Sequence, residues 1–558
     1  MKFKAFCLFV SLFSASFLFA QDSAPKNWFN LDLAKDGYPG LSTEKTYKEL
    51  LKGKTGKTVV VAVIDSGVDY MHEDLKDIMW VNPGEIPGNG IDDDKNGYVD
   101  DIHGWNFLGN KNGNNIENEN LEVTRLYVRY KKKYEGKDPA KLSKKERTEY
   151  DTYIEYEKVI AKKREELAPN AELYTAIHAA FTRFEKELGV PRKAVTLKDV
   201  ENFKSSDAML MRVAGAVKES IQGGESFADV MDQVQEGYEY FNGQFNYNYN
   251  PEYDARSIIG DDPLDVNDRN YGNADVRGPD ASHGTHVSGI IAAIRGNGVG
   301  MDGIADNVRI MAVRAVPNGD ERDKDVANAI RYAVDNGATV INMSFGKGAS
   351  PEKAAVDAAV RYAMERDVVL VHGAGNDGEK ISLTDNFPND RFAKSGLFGK
   401  KYAENWIEVG AHGPSKDEHL AAGFSNYSPD LVDVFAPGVE IYSTVPDNGY
   451  KNQQGTSMAA PMVAGAAALL RSYYPDLTAK QVKDILMESA APWTQKVIKP
   501  GTEEETVSMS QLSVTGGLLN AYEAVKMAEQ TKGKKKASKS GSAGAAGKSG
   551  KKAVGPKA

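Results

Sequence analysis

The sequence predicts an α/β fold on a mostly parallel central sheet, interrupted by an α-helical insert, and three observations carry that prediction. Continuous β-branched runs recur along the chain, amphipathic helical patterns stand between them, and one long charged stretch without glycine keeps its apolar residues at helical spacing.

The first run, TVVVAVI at 58–64, reads as a strand buried on both faces of a parallel sheet, because it lacks the polar alternation of a half-exposed one. VRIMAVRAV (308–316), ATVINMSF (338–345), DVVLVHGAG (367–375) and NWIEVGA (405–411) repeat the pattern. DVANAIRYAVDNG (325–337) and PEKAAVDAAVRYAMERD (351–367) read as the crossover helices between them, the first closed by a glycine. From 117 to 241 the character changes. No glycine occurs between Lys137 and Leu188, and Tyr153, Tyr156, Ile160, Leu167, Ile177, Phe184, Phe227, Val230 and Val234 fall at helical spacing, so a helical hairpin or small bundle is expected there.

The 558 residues are enough for two to four folding units, and 41% hydrophobic with 27% charged residues excludes both a disordered chain and a multispanning membrane protein. Lys2 and Lys4, an apolar run to Ala20, then Gln21 and Asp22 read as a signal peptide cleaved after Ala20; Leu18 stands where a small residue is usual, and an uncleaved anchor is the alternative. After cleavage no membrane span is expected. The single cysteine, Cys7, lies inside this segment, so disulfides, thiolate zinc sites and a cysteine nucleophile are all excluded from the exported chain. The remainder divides into an N-terminal extension (21–57), a main domain in two parts (58–116 and 242–530) around the insert, and a tail (531–558) expected to be disordered. Residues 532–558 hold nine lysines and no acid, leaving 60 basic against 79 acidic groups elsewhere; an acidic body argues against nucleic acid as a partner.

Three segments carry candidate chemistry. VIDSGVD places Asp65 just after a buried strand, SHGTHVSG puts His283 at a helix N-terminus, and GTSMAAP starts a helix with Ser457. Singly these read as a cap, a structural histidine and an N-cap. Together they supply a nucleophile, the imidazole that takes its proton, and the carboxylate that orients and stabilises that imidazole.

VIDSGVDYMHEDL, HGTHVSGIIAAI, INMSFG, GAGNDG and GTSMAAPMVAGAAALL, in that order, resemble the subtilisin-like serine proteases (subtilases, peptidase S8) over about 58–108 and 255–490. The resemblance implies a three-layer fold, an endopeptidase acting on proteins or peptides through an acyl-enzyme, Asp65, His283 and Ser457 as its triad, and Asn376 as side-chain donor to the oxyanion. It further implies Ser344, Phe345 and Gly346, with Gly373, Ala374 and Gly375, as the segments flanking an extended substrate. Phe345 at a pocket wall suggests a hydrophobic or unselective preference at P1, the substrate residue just before the scissile bond. Phe387-Pro388 resembles the pocket-floor turn, with Asn386 where glycine is usual, a change that shortens the pocket. His286 reads as the family's buried histidine rather than a zinc ligand, and His72 and His372 as packing or strand-end residues.

NGIDDDKNGYVDD sets Asp92, Asp94, Asn96, Tyr98 and Asp100 at alternate positions of a calcium loop with a turning Gly97, although His103 replaces the closing glutamate and leaves Asp93 or Asp101 to compensate. A second structural Ca2+ site, with Asp74 and Asn297 as ligands, follows from the resemblance alone. Two departures stand out. His283 lies far beyond Asp65, with the helical insert filling the gap near the cleft rim, and 21–57 is too short for the usual propeptide. A lid or chaperone role for the insert is therefore expected, with its partner unspecified. The rival reading is a binding scaffold that keeps the protease fold, against which the intact triad argues.

Overall fold

The computed structural model describes residues 24–394 and 399–534; the signal segment, Cys7 and most of the lysine tail lie outside them. Thirteen strands are described. Nine form one sheet: β1 (Val59–Asp65), β2 (Gly104–Asn106), β3 (Val308–Arg314), β4 (Val340–Met343), β5 (Val369–Gly373), β6 (Trp406–His412), β7 (Val434–Pro437), β10 (Ala491–Pro492) and β13 (Gly517–Leu518). Two hairpins, β8 (Ile441–Val445) with β9 (Gly449–Gln453) and β11 (Val497–Ile498) with β12 (Thr506–Val507), lie outside it. The order is β10-β13-β7-β6-β5-β4-β1-β3-β2, and every pairing is parallel except β10 with β13.

Strand β1 shows why its run is continuous. Val59, Val61 and Val63 enter one apolar layer while Ala62 and Ile64 enter the other. The first layer is closed by helices Ser282–Ala292 and Thr456–Tyr473, the second by Asp323–Asp335 and Lys353–Glu365, so the sheet is covered on both faces.

The insert is helical as expected: α1 (Glu122–Tyr134), α2 (Lys144–Leu188), α3 (Ala208–Gln222) and α4 (Phe227–Gly243). A capping box of Ser143 and Glu146 starts α2, and Gly189 in the left-handed conformation ends it. Ile177, Phe184, Leu210, Val213, Val217, Phe227 and Val234 give the insert its own core. The boundary at 241 needs correction, because the helix runs on as a π turn through Gln244–Asn248. There Leu121 N–H donates to Asn248 O at 3.1 Å, so the two ends of the insert meet.

The extension also differs from a separate segment. Trp28, Phe29 and Leu41 are fully buried in the main core, and Trp28 Nε1 donates to Glu440 O at 3.1 Å. Aromatic burial, which the short polar-looking stretch conceals, joins 24–57 to the main domain. Among the described residues no helix is long and apolar enough to cross a membrane.

Candidate active site

Asp65 is the last residue of β1, at the carboxyl end of the parallel strands, where open α/β sheets place their ligands. Its Oδ1 accepts from the Ser66 N–H at 2.8 Å and faces His283 Nδ1 at 2.7 Å. His283 is the second residue of the helix Ser282–Ala292. That helix approaches the turn after β1 so closely that a Cβ on Gly284 would lie 2.1 Å from Gly67 O, which is why glycine follows the histidine. Burial alone lowers the His283 pKa; the Asp65 carboxylate outweighs it and holds it above the ordinary imidazole value.

Ser457 is the second residue of the helix Thr456–Tyr473 and shares a 670 Å³ cavity with Asn376 and the strand ends. Its hydroxyl donates to Ser344 O at 3.2 Å, and Ser344 Oγ donates back to Ser457 O at 2.9 Å. Asn376 Oδ1 accepts from the Thr456 N–H at 2.8 Å and from Thr456 Oγ1 at 3.1 Å. With the carbonyl side so engaged, the amide NH2 faces the cavity. Thr456 also receives Gly375 N–H at 3.1 Å, so it fixes both the amide and its loop; the sequence reading did not single it out, although it stands inside GTSMAAP.

Ser344, Phe345, Gly346, Gly373 and Gly375 all line the cavity. Ala374 does not. It is fully buried, its N–H donates to Val409 O and its carbonyl accepts from Asn426 Nδ2, so its backbone is spent on the sheet and the loop. The other wall comes from the insert: Leu121, Glu122, Val123 and Tyr156. A buried Lys347 joins the two walls, its ammonium meeting Glu122 Oε2 at 2.8 Å and Asp323 Oδ1 at 2.9 Å. Arg125 pairs with the same Glu122 oxygen at 2.5 Å. A second tie of the insert to the main domain is the ion pair of Glu236 on α4 with Lys451 on β9.

Of the predicted loop ligands, Asp92 and Asp94 come together, and Glu85, absent from the sequence reading, joins them with ligand oxygens within 4.8 Å of one another. Asn96 hydrogen-bonds Asp94 through its backbone and side chain. Asp100 is directed elsewhere: its two oxygens accept from the N–H groups of Gly88, Asn89 and Gly90. Tyr98 turns its ring into the core against Trp105, Phe107 and Tyr332, which leaves its backbone carbonyl as the group for the seventh position of the loop. Three adjacent carboxylates form a hard oxygen set that fits Ca2+. At the second site Asn297 Nδ2 lies 2.6 Å from Asp74 Oδ1, and burial pushes the Asp74 carboxyl up. A buried carboxylate beside an amide in a glycine-rich loop also fits that ion.

Three histidines are structural. His286 Nε2 donates to Ile441 O and Lys451 O, both at 3.0 Å, anchoring the β8–β9 hairpin; burial lowers its pKa to about 3. His72 bridges Gly449 O and the Asp74 N–H. His372, fully buried at the end of β5, faces Glu408 through Nδ1 at 2.9 Å and donates from Nε2 to Phe345 O at 2.7 Å.

A carboxylate-backed imidazole and a helix-borne serine thus stand on a parallel α/β sheet, with an amide lining the serine's cavity. The subtilase family (peptidase S8) profile matches residues 56–524, and the chain belongs to that family. It is similar to a thermophilic serine proteinase of Bacillus sp. (strain AK1), 42% identical over 223 residues, which are 40% of this chain and 49% of that protein. Subtilisin DY of Bacillus licheniformis is 41% identical over 212 residues, 37% of this chain and 70% of the relative. A thermostable alkaline protease of Halalkalibacterium halodurans is 34% identical over 209 residues, 37% of this chain and 52% of the relative. The match thus spans about half of the first and third relatives.

Proposed function

We propose that the chain is an exported serine endopeptidase, periplasmic, cell-surface or secreted, that hydrolyses peptide bonds in proteins through a Ser457 acyl-enzyme. The observation that carries the reading is the 2.7 Å Asp65–His283 pair, set in a fold where Ser457 and the outward amide of Asn376 share one cavity. In this scheme the Ser457 hydroxyl turns from Ser344 O, gives its proton to His283 and attacks the carbonyl carbon. Asn376 Nδ2 and the Ser457 backbone N–H meet the oxyanion, and His283, held by Asp65, returns the proton to the leaving amine. The test is labelling with a serine-directed fluorophosphonate: wild type labels and Ser457→Ala does not, whereas equal labelling of both sinks the reading.

Ca2+ is the proposed structural ion, held by Asp92, Asp94 and Glu85 and separately by Asp74 and Asn297. When bound, it would screen mutual carboxylate repulsion and tie surface loops to the body.

The insert is proposed as a lid. Its root carries the buried Lys347–Glu122–Arg125 cluster, while the far side is held by the exposed Lys451–Glu236 pair, so opening breaks the weaker attachment. If deletion of 122–247, which joins Leu121 to Asn248, two residues already hydrogen-bonded to each other, leaves folding yield and peptide cleavage unchanged, the lid idea is wrong.

A further inference from the structure

Asn386 lines the cavity that holds Ser457, at the position where the resemblance implies glycine. Asn386 is buried there, and its Nδ2 donates to Glu408 Oε1 at 2.9 Å. Glu408 also receives Trp406 Nε1 at 2.8 Å and faces His372 Nδ1. A carboxylate that accepts from its neighbours repels a carbonyl oxygen, so the amide has one orientation, NH2 toward Glu408 and Oδ1 toward the cavity. Consistent with that, a Cβ on Gly346, in the segment paired with Phe387, would sit 3.3 Å from Asn386 Oδ1.

Acidic side chains outnumber basic ones around this acceptor. Glu122, Asp320, Asp377 and Asp385 line the cavity and Lys347 is its single basic side chain, with an ammonium already occupied by Glu122, Asp323 and Glu321 O. Phe345 lines the cavity while its half-buried ring stands edge-on to His372, with centroids 6.3 Å apart, and packs against the apolar layer beneath the sheet. Gly346, Gly348 and Gly373 leave backbone against which a long aliphatic stem can lie.

We propose that this pocket selects a cationic P1 side chain, lysine or arginine, with Asn386 Oδ1 as the acceptor at its floor and the surrounding carboxylates supplying the field. The proposal rests on the protease reading and names the substrate class of that same site. Alkyl or aromatic tips would leave the Asn386 oxygen without a partner, which is the larger source of discrimination.

The test uses succinyl-Ala-Ala-Pro-X coumarinylamides with X as Lys, Arg, Phe or Leu, on full-length enzyme whose Ser457 content is counted by fluorophosphonate labelling. Lys and Arg should exceed Phe and Leu at least ten-fold in kcat/KM. Asn386→Leu and the less disruptive Asn386→Gly, each normalised to labelled sites, should both reduce that ratio at least ten-fold. A labelled wild type that prefers Phe or Leu, or a labelled variant that keeps the cationic preference, overturns the pocket proposal and leaves the catalytic reading standing. Wild type that does not label overturns the catalytic reading itself, and the pocket proposal with it.

Discussion

Asn376 and Thr456 are locked to each other: the asparagine oxygen takes both the N–H and the hydroxyl of the threonine, at 2.8 and 3.1 Å. The amide therefore needs no reorientation when an oxyanion forms. Asn376→Ala should cut kcat by about 100- to 1,000-fold with little change in KM. Thr456→Val keeps the N–H and loses the hydroxyl with its bonds to Asn376 and from Gly375, so steady-state kinetics should show a loss of about thirty-fold, the worth of two ordinary hydrogen bonds.

His283 must be neutral to accept the serine proton. Because Asp65 holds its pKa above the ordinary 6.5, kcat/KM should rise with pH through a midpoint above that value. Asp65→Asn removes the charge that raises it. The midpoint should move down and kcat should fall by about 10⁴, and a pH–rate profile of both proteins checks each part.

The Lys347 cluster makes the insert root a stability element. Lys347→Met leaves Glu122 with Arg125 alone and takes the lysine from the buried Asp323, with an expected cost of about 3–5 kcal/mol in urea unfolding. Burial pushes the Glu122 pKa up, but Arg125 and Lys347 outweigh it and bring it down to about 2. A depressed carboxyl stabilises the fold above its unfolded pKa, and that contribution disappears as pH falls toward 2. In Lys347→Met one of the two cations is gone, so acid unfolding should begin at higher pH.

Calcium removal gives a separate readout. Chelation with EGTA should lower the thermal midpoint, and Glu85→Gln should weaken terbium luminescence from the 85–94 site. Asp100→Asn should leave terbium binding unchanged, since its oxygens cap residues 88–90. A terbium titration that responds equally to both substitutions contradicts the proposed ligand set.

The legible parts of the fold are those where local pattern and tertiary role agree. β1 was readable because a strand covered on both faces has no reason to alternate, and α2 because its apolar spacing and capping serine are local. The catalytic candidates were readable because glycines and small residues at fixed offsets surround them. Glu85 lies outside the loop pattern it completes, and Asp100 fits the pattern while pointing to another turn. Asn386 was visible as an oddity, but its orientation depends on Glu408, a residue on another strand that no local pattern connects to it. Trp28 and Phe29 fall within the N-terminal extension, and nothing nearby in the chain shows what covers them.

The meeting of the insert's two ends, Leu121 with Asn248, bears on how the sheet assembles. β1 sits between β3 and β4, with Val59 opposite Val308, so the central strand leaves the ribosome long before either neighbour. Closing so long a loop is entropically unfavourable and slows assembly. An insert that condenses on its own helical core and clasps its own ends takes most of that length out of the search. Its second consequence is kinetic: the effective separation between the strand carrying Asp65 and the helix carrying His283 becomes that of a much shorter polypeptide.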